Sequence, residues 1–458
     1  MNNTANNIDV IVIGAGLSGL ETALTLEENG LRVLVLEGRQ RIGGRLYSLF
    51  DLPGAPEAGG NNVSTAYGRI IAASKKYQVE LVNWAPRYTA YPDPQELFIG
   101  GEHITAKDWV NHWHNPFSGA ERTLLPSTWG RALLRKHMPF KDLENWHDAA
   151  HWQYDVSVHS FLKRLGASEA AIALGYETNI SYGTTAHDVS LLQLAFVDHW
   201  QSINRRSSST DDAFVGLFKG GNQNLPIGMA NHLRGDLLQG KRVSNIKLEV
   251  DRASVRCSDG SAYQAKAIVC SMPFPTLRHV VIDPLPPKAQ YRAIQTLGAK
   301  PITQVHLIPL HPFWLKDGLS PALWSDGLVG SVLVNRDLTD PSQITSLTVW
   351  CSGLNARNLD RYSKVDAGRM IVAEYEQLRP AARGALQVAA VHSWEKDPFS
   401  GGTWAIFQPG QVREFAHTLA AAHGRLFFCG EHTAISARGM EAAMESAERV
   451  SLEVLGAL

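Results

Sequence analysis

Three glycines near the N-terminus have the spacing of a phosphate-binding turn. Gly14, Gly16 and Gly19 follow the apolar run 10–13 in a Gly-x-Gly-x-x-Gly pattern, and a helical pattern begins directly after the turn. Glycines permit a tight turn and a close approach of the backbone to a pyrophosphate, whose charge is met by the N–H groups at the helix start. Glu37, about 20 residues beyond the glycines, is placed to bind the hydroxyls of an adenosine ribose. This segment predicts a dinucleotide-binding site.

The elements that must position these residues form a βαβ unit. Residues 10–13 predict a first strand, residues 17–28 a helix that ends near Gly30, and residues 31–36 a second strand. A lone Gly-x-Gly-x-x-Gly is a weak signal, because a strand-to-helix turn that binds nothing has the same pattern. Strand, helix, second strand and terminal acid together favour the nucleotide site over that alternative.

The C-terminal segment carries a second set of residues suited to a cofactor site. Positions 427–433 read Phe-Phe-Cys-Gly-Glu-His-Thr, and Gly439 and Met440 lead into a helical pattern. Near the first glycine motif, positions 41–45 read Arg-Ile-Gly-Gly-Arg. The two ends of the chain together predict the halves of one cofactor site, with FAD as the cofactor.

Length and composition fit an enzyme and exclude several other classes of protein. The chain has 458 residues, which at about 100–200 residues per domain suggests two or three structural units. Its 43 basic and 44 acidic residues give no electrostatic argument for a nucleic-acid or membrane partner. Neither a signal segment nor a membrane-crossing apolar run is present, so we expect a cytoplasmic protein. The sequence does not decide the oligomeric state, and a homodimer is one option.

Four cysteines are scattered along the chain without metal-ligand spacing. Cys257, Cys270, Cys351 and Cys429 lie mostly in apolar, strand-like surroundings. They predict reduced core residues, and no metal site is predicted.

Changes of pattern along the chain predict two interleaved domains. We expect a fold of the α/β class, with a Rossmann-like FAD-binding domain built from about residues 1–82, 205–285 and 388–458. The intervening residues 83–204, which are helical and rich in Trp and His, and 286–387 are expected to form an α+β substrate domain of mixed sheet plus helices.

The order of the motifs resembles that of the flavin-containing amine oxidases of the monoamine and polyamine oxidase group. The similarity covers nearly the whole length, with a diverged middle. The similar segments are residues 14–19, Glu37 with Arg39, and residues 43–45, 59–60, 220–223, 400–402 and 430–433.

The resemblance implies a cofactor position and a reaction. FAD would lie extended along the first domain, with the flavin ring at the interface with the substrate domain. An amine would lose hydride to flavin N5, giving an imine that hydrolyses to an aldehyde or ketone, with O2 reduced to H2O2. The residues that the resemblance assigns to cofactor binding are Gly14, Gly16, Leu17, Ser18, Gly19, Glu37, Arg39, Gly43, Gly44, Arg45, Gly59, Gly60, Asn61, Asn62, Val243, Trp394, Gly430, Glu431, Gly439 and Met440.

Two departures from the family pattern concern flavin attachment and the aromatic cage. Covalent members have cysteine in Ser-Gly-Gly-Cys-Tyr, whereas this chain has Thr403, so noncovalent FAD is expected. The two tyrosines of the family's cage align with Trp404 and Gly439, which leaves the cage half open. Trp404 still offers a π face to developing positive charge. The open side would admit a bulkier or secondary amine, unless a nearby Trp or Tyr fills the gap.

A third departure concerns the family lysine that holds a water near flavin N5. Counting back from Pro-Phe-Trp at 312–314 places this position at Gln304, which hydrogen-bonds a water but supplies no charge. We therefore group Gln304 with Trp404 and Gly439 as the catalytic-site residues, and a dehydrogenase with an acceptor other than O2 stays open. No catalytic base is identified, since an amine that binds in its neutral form can lose hydride directly.

Other functions also stay open. An L-amino acid oxidase would need a guanidinium for the substrate carboxylate, for which Arg438 is a candidate. Flavoenzymes that oxidise C–C bonds share the glycine motif, but the pattern of residues 430–448 argues against them. A noncatalytic flavoprotein is a further alternative, because it could carry the lysine-to-glutamine and tyrosine-to-glycine changes.

Overall fold

A five-stranded parallel sheet forms the centre of the domain that contains both chain ends. The computed structural model describes residues 8–137, 140–177, 184–207 and 214–458. The order of strands across the sheet is Leu237–Leu238, Val33–Leu36, Val10–Ile13, Ala267–Cys270 and Leu426–Phe428. The strands come from the N-terminal, middle and C-terminal parts of the chain, as interleaved domains require.

Both faces of this sheet are covered, which explains why its strands are continuous apolar runs. Along Val10–Ile13, the side chains of Val10 and Val12 enter one core and those of Ile11 and Ile13 enter another. The helices Leu17–Glu28 and Gly439–Ala457 pack against each other on the Val10 face. The predicted βαβ unit is therefore present, and the last helix of the chain completes its packing.

A four-stranded sheet belongs to the same domain. Its order is Ala262–Ala265, Ala253–Cys257, Val243–Leu248 and Val281–Asp283. Val243, which the sequence assigned to cofactor binding, lies at the start of the third strand in that order.

A seven-stranded sheet forms the second domain. Its order is Leu386–Ser393, Ile302–Pro309, Ile344–Ser352, Ser331–Arg336, Leu323–Ser325, Glu96–Ile99 and Glu102–Ile104. The edge strand Leu386–Ser393 pairs antiparallel with Ile302–Pro309 as far as Ser393. This edge strand therefore runs past residue 387, the expected end of the second substrate segment.

The remaining strands form three smaller sheets of two or three strands each. These strands are Tyr47–Ser48 with Glu57–Gly59, Val63–Ser64 and Leu81–Asn83 with Val215–Phe218, and Gly298–Ala299 with Ala405–Ile406. The α-helices are Leu17–Glu28, Gly68–Lys76, Ala85–Ala90, Ala106–Trp109, Pro126–Lys136, Val158–Arg164, Glu169–Ile172, Leu191–Ser207, Asn224–Ala230, Phe274–Leu277, Lys288–Thr296, Trp314–Asp317, Gly353–Leu359, Lys364–Leu378, Gln411–Phe415 and Gly439–Ala457.

The Trp- and His-rich region is helical but more broken than the sequence predicts. Apart from Leu191–Ser207, its helices are at most 11 residues long. Among the described residues, the helices are each too short or too polar to cross a bilayer.

The four cysteines are buried and free, which confirms their prediction as reduced core residues.

Candidate active site

An elongated cavity of about 430 Å³ follows the predicted cofactor residues from one end of the first domain to the substrate sheet. Of the residues assigned from the sequence to cofactor binding, all but Gly19 line this cavity, and so does Trp404. Gln304 does not. We call it the first cavity.

The glycine turn lies at one end of the first cavity. Gly14 follows the first strand with φ +104°, and a Cβ at this position would lie 2.4 Å from the Ser271 hydroxyl oxygen. A Cβ on Gly44 would lie 3.2 Å from the Cα of Gly16, so the two glycine motifs approach each other without room for side chains. Gly19 faces the other way, because a Cβ there would overlap the Gly14 carbonyl. Its role is close packing of the helix on the turn rather than contact with the cavity.

Glu37 lies where the second strand ends, with only 4% of its surface exposed. One carboxylate oxygen accepts a hydrogen bond from the Ala15 N–H and the other from the Arg39 N–H, both at 2.8 Å. These two bonds fix the carboxylate between the glycine turn and the next loop, on the cavity wall. The arrangement fits the predicted contact with a ribose.

Ion pairs hold the two chain ends together along the cavity. Arg39 donates to the Asp397 carboxylate at 2.8 Å and to the Ser400 hydroxyl at 2.7 Å. Arg45 Nη1 lies 3.1 Å from the Glu431 carboxylate and also donates to the Thr403 carbonyl. Asp397 was missed from the sequence, because its partner lies 358 positions away and no motif marks it.

Trp394 packs beside the paired glycines at the junction of the two domains. Its indole N–H donates to the Ala58 carbonyl at 2.8 Å, and a Cβ on Gly59 would lie 2.7 Å from its ring. Trp394 shares an apolar cluster with Trp350, with Trp404 packed against that cluster. Its position on the cavity wall fits the predicted contact with the flavin.

Trp404 and Gly439 meet at the other end of the cavity, as the sequence predicts. Gly439 begins the last helix at φ +66°, and a Cβ there would lie 3.7 Å from Trp404 Nε1. The same Cβ would lie 4.0 Å from the hydroxyl oxygen of Tyr67, which also lines the cavity. Tyr67 is held edge-to-face against Trp200, with ring centroids 5.9 Å apart. An aromatic side chain therefore fills the side that Gly439 leaves open.

Burial raises the pKa of Tyr67 above its ordinary value. Its hydroxyl is therefore protonated at neutral pH and serves as a hydrogen-bond donor and acceptor. No sequence signal pointed to Tyr67, because it precedes the helix Gly68–Lys76 outside any glycine motif.

These residues together fit an FAD: a glycine turn at a helix start, a fixed acidic residue beyond it, and an aromatic end at the domain junction. The family model described as flavin containing amine oxidoreductase matches residues 17–455. The chain belongs to the flavin-containing amine oxidase family.

Relatives and solved structures agree with this assignment. A flavin-containing amine oxidase of Danio rerio is 26% identical over 99% of this chain and 87% of its own length. Amine oxidase B of Homo sapiens is likewise 26% identical, over 99% of this chain and 87% of its own. The resemblance stated from the motifs is confirmed, and the protein is an FAD-dependent amine oxidoreductase.

The fold is that of solved amine oxidase structures. Cyclohexylamine oxidase from Brevibacterium oxydans IH-35A superposes with a TM-score of 0.79 at 20% identity, covering 98% of this chain and 99% of that one. Wild-type putrescine oxidase bound to putrescine gives a TM-score of 0.74 at 22% identity, over 98% and 99% of the two chains. The predicted α/β fold class is confirmed.

Gln304 does not line the first cavity of this amine oxidase, although its position in the sequence groups it with the catalytic-site residues. It is fully buried in the strand Ile302–Pro309, and neither its amide oxygen nor its amide nitrogen has a hydrogen-bond partner within the described part of the chain. The cavity wall here is formed by its cross-strand partner Trp350. The residue reached by counting back from Pro-Phe-Trp therefore does not line the first cavity.

A lysine does occur close by, four positions before Gln304. The Lys300 carbonyl accepts bonds from the Thr403 N–H and hydroxyl, and its N–H donates to the Trp404 carbonyl at 2.8 Å. Lys300 is 1% exposed, and burial together with Arg438 and Arg131 lowers the pKa of its amine well below the ordinary range. It was not found from the sequence, because it precedes the strand that was used for counting.

Three of the four basic residues on the described cavity wall are held in ion pairs. Arg39 and Arg45 are paired with Asp397 and Glu431, and Lys241 is paired with Asp259 at 2.7 Å. The fourth basic residue, Arg242, has its guanidinium 5.8 Å from the Phe399 ring centroid, beside the Arg39 pair. Among the described residues of the wall, none offers a free guanidinium beside Trp404.

Arg438, the candidate carboxylate partner, lies outside the first cavity. Its guanidinium carbon is 4.7 Å from the centroid of the Trp404 ring. It lines a separate cavity of about 160 Å³, which we call the second cavity. Glu431 lines both cavities.

Proposed function

We propose that this amine oxidase acts on a small or medium hydrophobic amine, primary or secondary, that carries no carboxylate. The observation that carries the proposal is the aromatic end of the first cavity. This end is lined by Trp404, Tyr67, Trp350 and Leu333. Of the basic residues that line the cavity, Arg39, Arg45 and Lys241 are held in ion pairs with carboxylates. Apolar and aromatic walls bind the hydrocarbon part of such an amine and disfavour the charged ammonium form by desolvation.

Among the described residues at this end, none offers the complementary charge that an amino acid or a diamine would need. A substrate carboxylate would need a cation, and Arg438 lies behind Trp404. A second ammonium group would need a carboxylate, but Glu37 lies at the nucleotide end and Glu431 is paired with Arg45. The likeness in fold to cyclohexylamine oxidase, whose name gives a hydrophobic amine, agrees with a monoamine substrate.

The protein's contribution is binding and orientation. Bound FAD supplies the redox chemistry, since it accepts a hydride at N5 and passes the electrons to O2 with release of H2O2. Trp404 and Tyr67 would hold the amine between them at the aromatic end of the cavity. FAD bound in the first cavity would take the hydride of the α C–H bond and leave an iminium cation, which water would hydrolyse to a carbonyl product and a protonated amine or ammonium.

FAD is held without a covalent bond. Thr403 occupies the position of the family's cysteine, and its hydroxyl donates to the Lys300 carbonyl at 3.0 Å. An alcohol in this position forms no thioether. Denaturing the purified protein should release FAD into the supernatant, whereas flavin that stays with the precipitate would contradict this assignment.

An electron acceptor other than O2 is a second possibility for this enzyme. In the described part of the chain, the first cavity has no lysine at its aromatic end, where the family lysine would hold a water near flavin N5. An amine dehydrogenase with an acceptor other than O2 therefore remains the alternative to an oxidase.

An anaerobic titration of the flavin absorbance tests both points. Cyclohexylamine, benzylamine, N-methylbenzylamine, putrescine and L-leucine form the panel, and air is admitted afterwards. Bleaching by the hydrophobic amines alone is expected. Bleaching by L-leucine would instead indicate an amino acid oxidase, and no bleaching at all would favour a noncatalytic or C–C-oxidising flavoprotein. Rapid recolouring in air identifies an oxidase, and slow recolouring identifies a dehydrogenase.

A further inference from the structure

The Trp404 indole separates a guanidinium from the first cavity. Arg438 stacks on the ring at 4.7 Å. Trp404 lines the first cavity and Arg438 lines the second, so the order is first cavity, indole, guanidinium, second cavity. A substrate amine on the cavity side of the indole would face a positive charge through the ring.

That charge is poorly compensated. Among the described residues, Arg438 makes its contact with the indole and no ion pair. Glu431 attracts it, but the Glu431 carboxylate already pairs with Arg45 at 3.1 Å. Burial and the neighbouring Arg131 lower the pKa of Arg438 to about 10, so the guanidinium still carries its charge at neutral pH.

Other titratable groups around Arg438 add little negative charge. Tyr67 stays protonated, and Lys300 and Arg131 are basic. Burial lowers the pKa of His432 to about 3 and also lowers that of His147, so both imidazoles are neutral. The groups that face Arg438 from neighbouring elements or from the wall of the second cavity are Tyr67, Arg131, His147, Lys300, His417, Glu431 and His432.

We propose that Arg438 is a positioning residue that acts through Trp404 to exclude the ammonium form of the substrate, so that the first cavity selects the neutral amine that can lose hydride. The proposal rests on the proposed function, in which the amine lies against Trp404. An indole face alone attracts a cation. A like charge on the opposite face, roughly 9 Å from the amine at an effective dielectric constant of about 20, opposes that attraction by a factor on the order of tenfold.

The test compares a cation with its neutral isostere in the FAD-bound enzyme. Benzyltrimethylammonium and neopentylbenzene have the same shape and differ in one charge. Their binding is followed as a perturbation of the flavin absorbance, which requires no turnover. Failure of the proposed function appears separately, as absence of bleaching by amines in the unmodified enzyme.

Arg438→Met is expected to tighten benzyltrimethylammonium about tenfold and to change neopentylbenzene less than twofold. Arg438→Lys keeps the charge and should leave the ratio of the two dissociation constants close to that of the unmodified enzyme. The matched control is Arg413→Met, because Arg413 lies 5.7 Å from the Trp152 centroid in a similar pair that lines neither cavity. It should change neither ligand.

Two results would overturn the proposal. One is an unchanged ratio of the two dissociation constants in Arg438→Met; if both ligands change by the same factor, the arginine shapes the cavity rather than charging it. If Arg438→Met does not retain FAD, Arg438→Gln takes its place. Loss of FAD from both variants would make the arginine a structural residue and would also refute the proposal.

Discussion

Arg45 Nη1 lies 3.1 Å from the Glu431 carboxylate, and this ion pair joins residues that are 386 positions apart. Arg45 belongs to the second glycine motif and Glu431 to the C-terminal motif. The pair stands where the nucleotide half of the first cavity meets the aromatic half. It therefore connects the two chain ends at the wall of the first cavity.

Breaking this pair should destabilise the cofactor-bound protein. Glu431→Gln and Arg45→Met are each expected to lower the free energy of unfolding by about 1–3 kcal/mol, because the remaining partner loses a charge-assisted hydrogen bond in a largely buried place. Denaturation with excess FAD measures the single variants, and the double variant should show that the two effects are not additive. The exposed pair Lys219 and Glu80 is the control, and its removal should cost less than about 1 kcal/mol. Additive effects at Arg45 and Glu431 would show that the pair is not coupled.

Glu37→Ala should weaken FAD binding. The substitution removes the acceptor of two backbone N–H groups together with the proposed ribose contact, so a rise of about 10–100-fold in the FAD dissociation constant is expected. Fluorescence titration of the apoprotein with FAD provides the measurement. Glu28→Ala, which removes an exposed glutamate of the preceding helix, should leave affinity unchanged. An unaltered dissociation constant in Glu37→Ala would remove the ribose assignment.

The nucleotide half of the site was predictable because its signals are local. Gly14, Gly16 and Glu37 lie within one βαβ unit, where the spacing of residues fixes their positions relative to the helix start. Gly19 was predicted as a cofactor contact by the same pattern, but its hydrogen atoms face the Gly14 carbonyl instead. The sequence pattern indicates that a glycine is needed at this position, but it does not reveal whether the cofactor or a neighbouring residue leaves no room for a side chain.

The substrate half depends on contacts between distant segments, which the sequence does not order. Tyr67, from a loop of the first domain, takes the place left open at Gly439. Gln304 was assigned by counting back along the chain from Pro-Phe-Trp, which does not reveal that its cross-strand partner Trp350 lines the cavity instead. Arg438 was a candidate partner for a substrate carboxylate, but the fold places Trp404 between it and the first cavity.

Trp404→Ala should lower amine turnover while FAD stays bound. Loss of the indole removes one wall against the substrate, and a fall of about 10–100-fold in kcat/KM is expected from the lost apolar contact. Trp404→Phe should be intermediate. Trp113→Ala controls for tryptophan removal as such, since Trp113 is 74% exposed. Normal turnover in Trp404→Ala would place the substrate elsewhere.

The ring of Tyr67 should matter more than its hydroxyl. Tyr67→Phe keeps the second wall and should retain kcat/KM within about threefold, whereas Tyr67→Ala should lower it at least about tenfold for the preferred amine. The alanine variant should also accept bulkier amines, because it reopens the side that Gly439 leaves free. Steady-state kinetics on benzylamine and a branched secondary amine measure both effects. Tyr362→Ala, at a half-exposed tyrosine, is the control. Equal loss in both Tyr67 variants would mean that the hydroxyl carries the effect.

Glu57 should make stability depend on pH in the range where the enzyme is handled. Burial raises the pKa of its carboxyl from the ordinary 4.5 to about 8, against the hydrogen bonds that it accepts from the Asn222 N–H and the Ser48 hydroxyl. Between these two pH values the folded protein holds a proton that the unfolded chain releases, so the free energy of unfolding falls as pH rises from about 4.5 to about 8. Glu57→Gln abolishes this titration and should flatten the dependence of Tm on pH over that interval. Glu80→Gln removes an exposed carboxylate and should leave the slope unchanged. A slope that survives in Glu57→Gln would assign the proton uptake to another group.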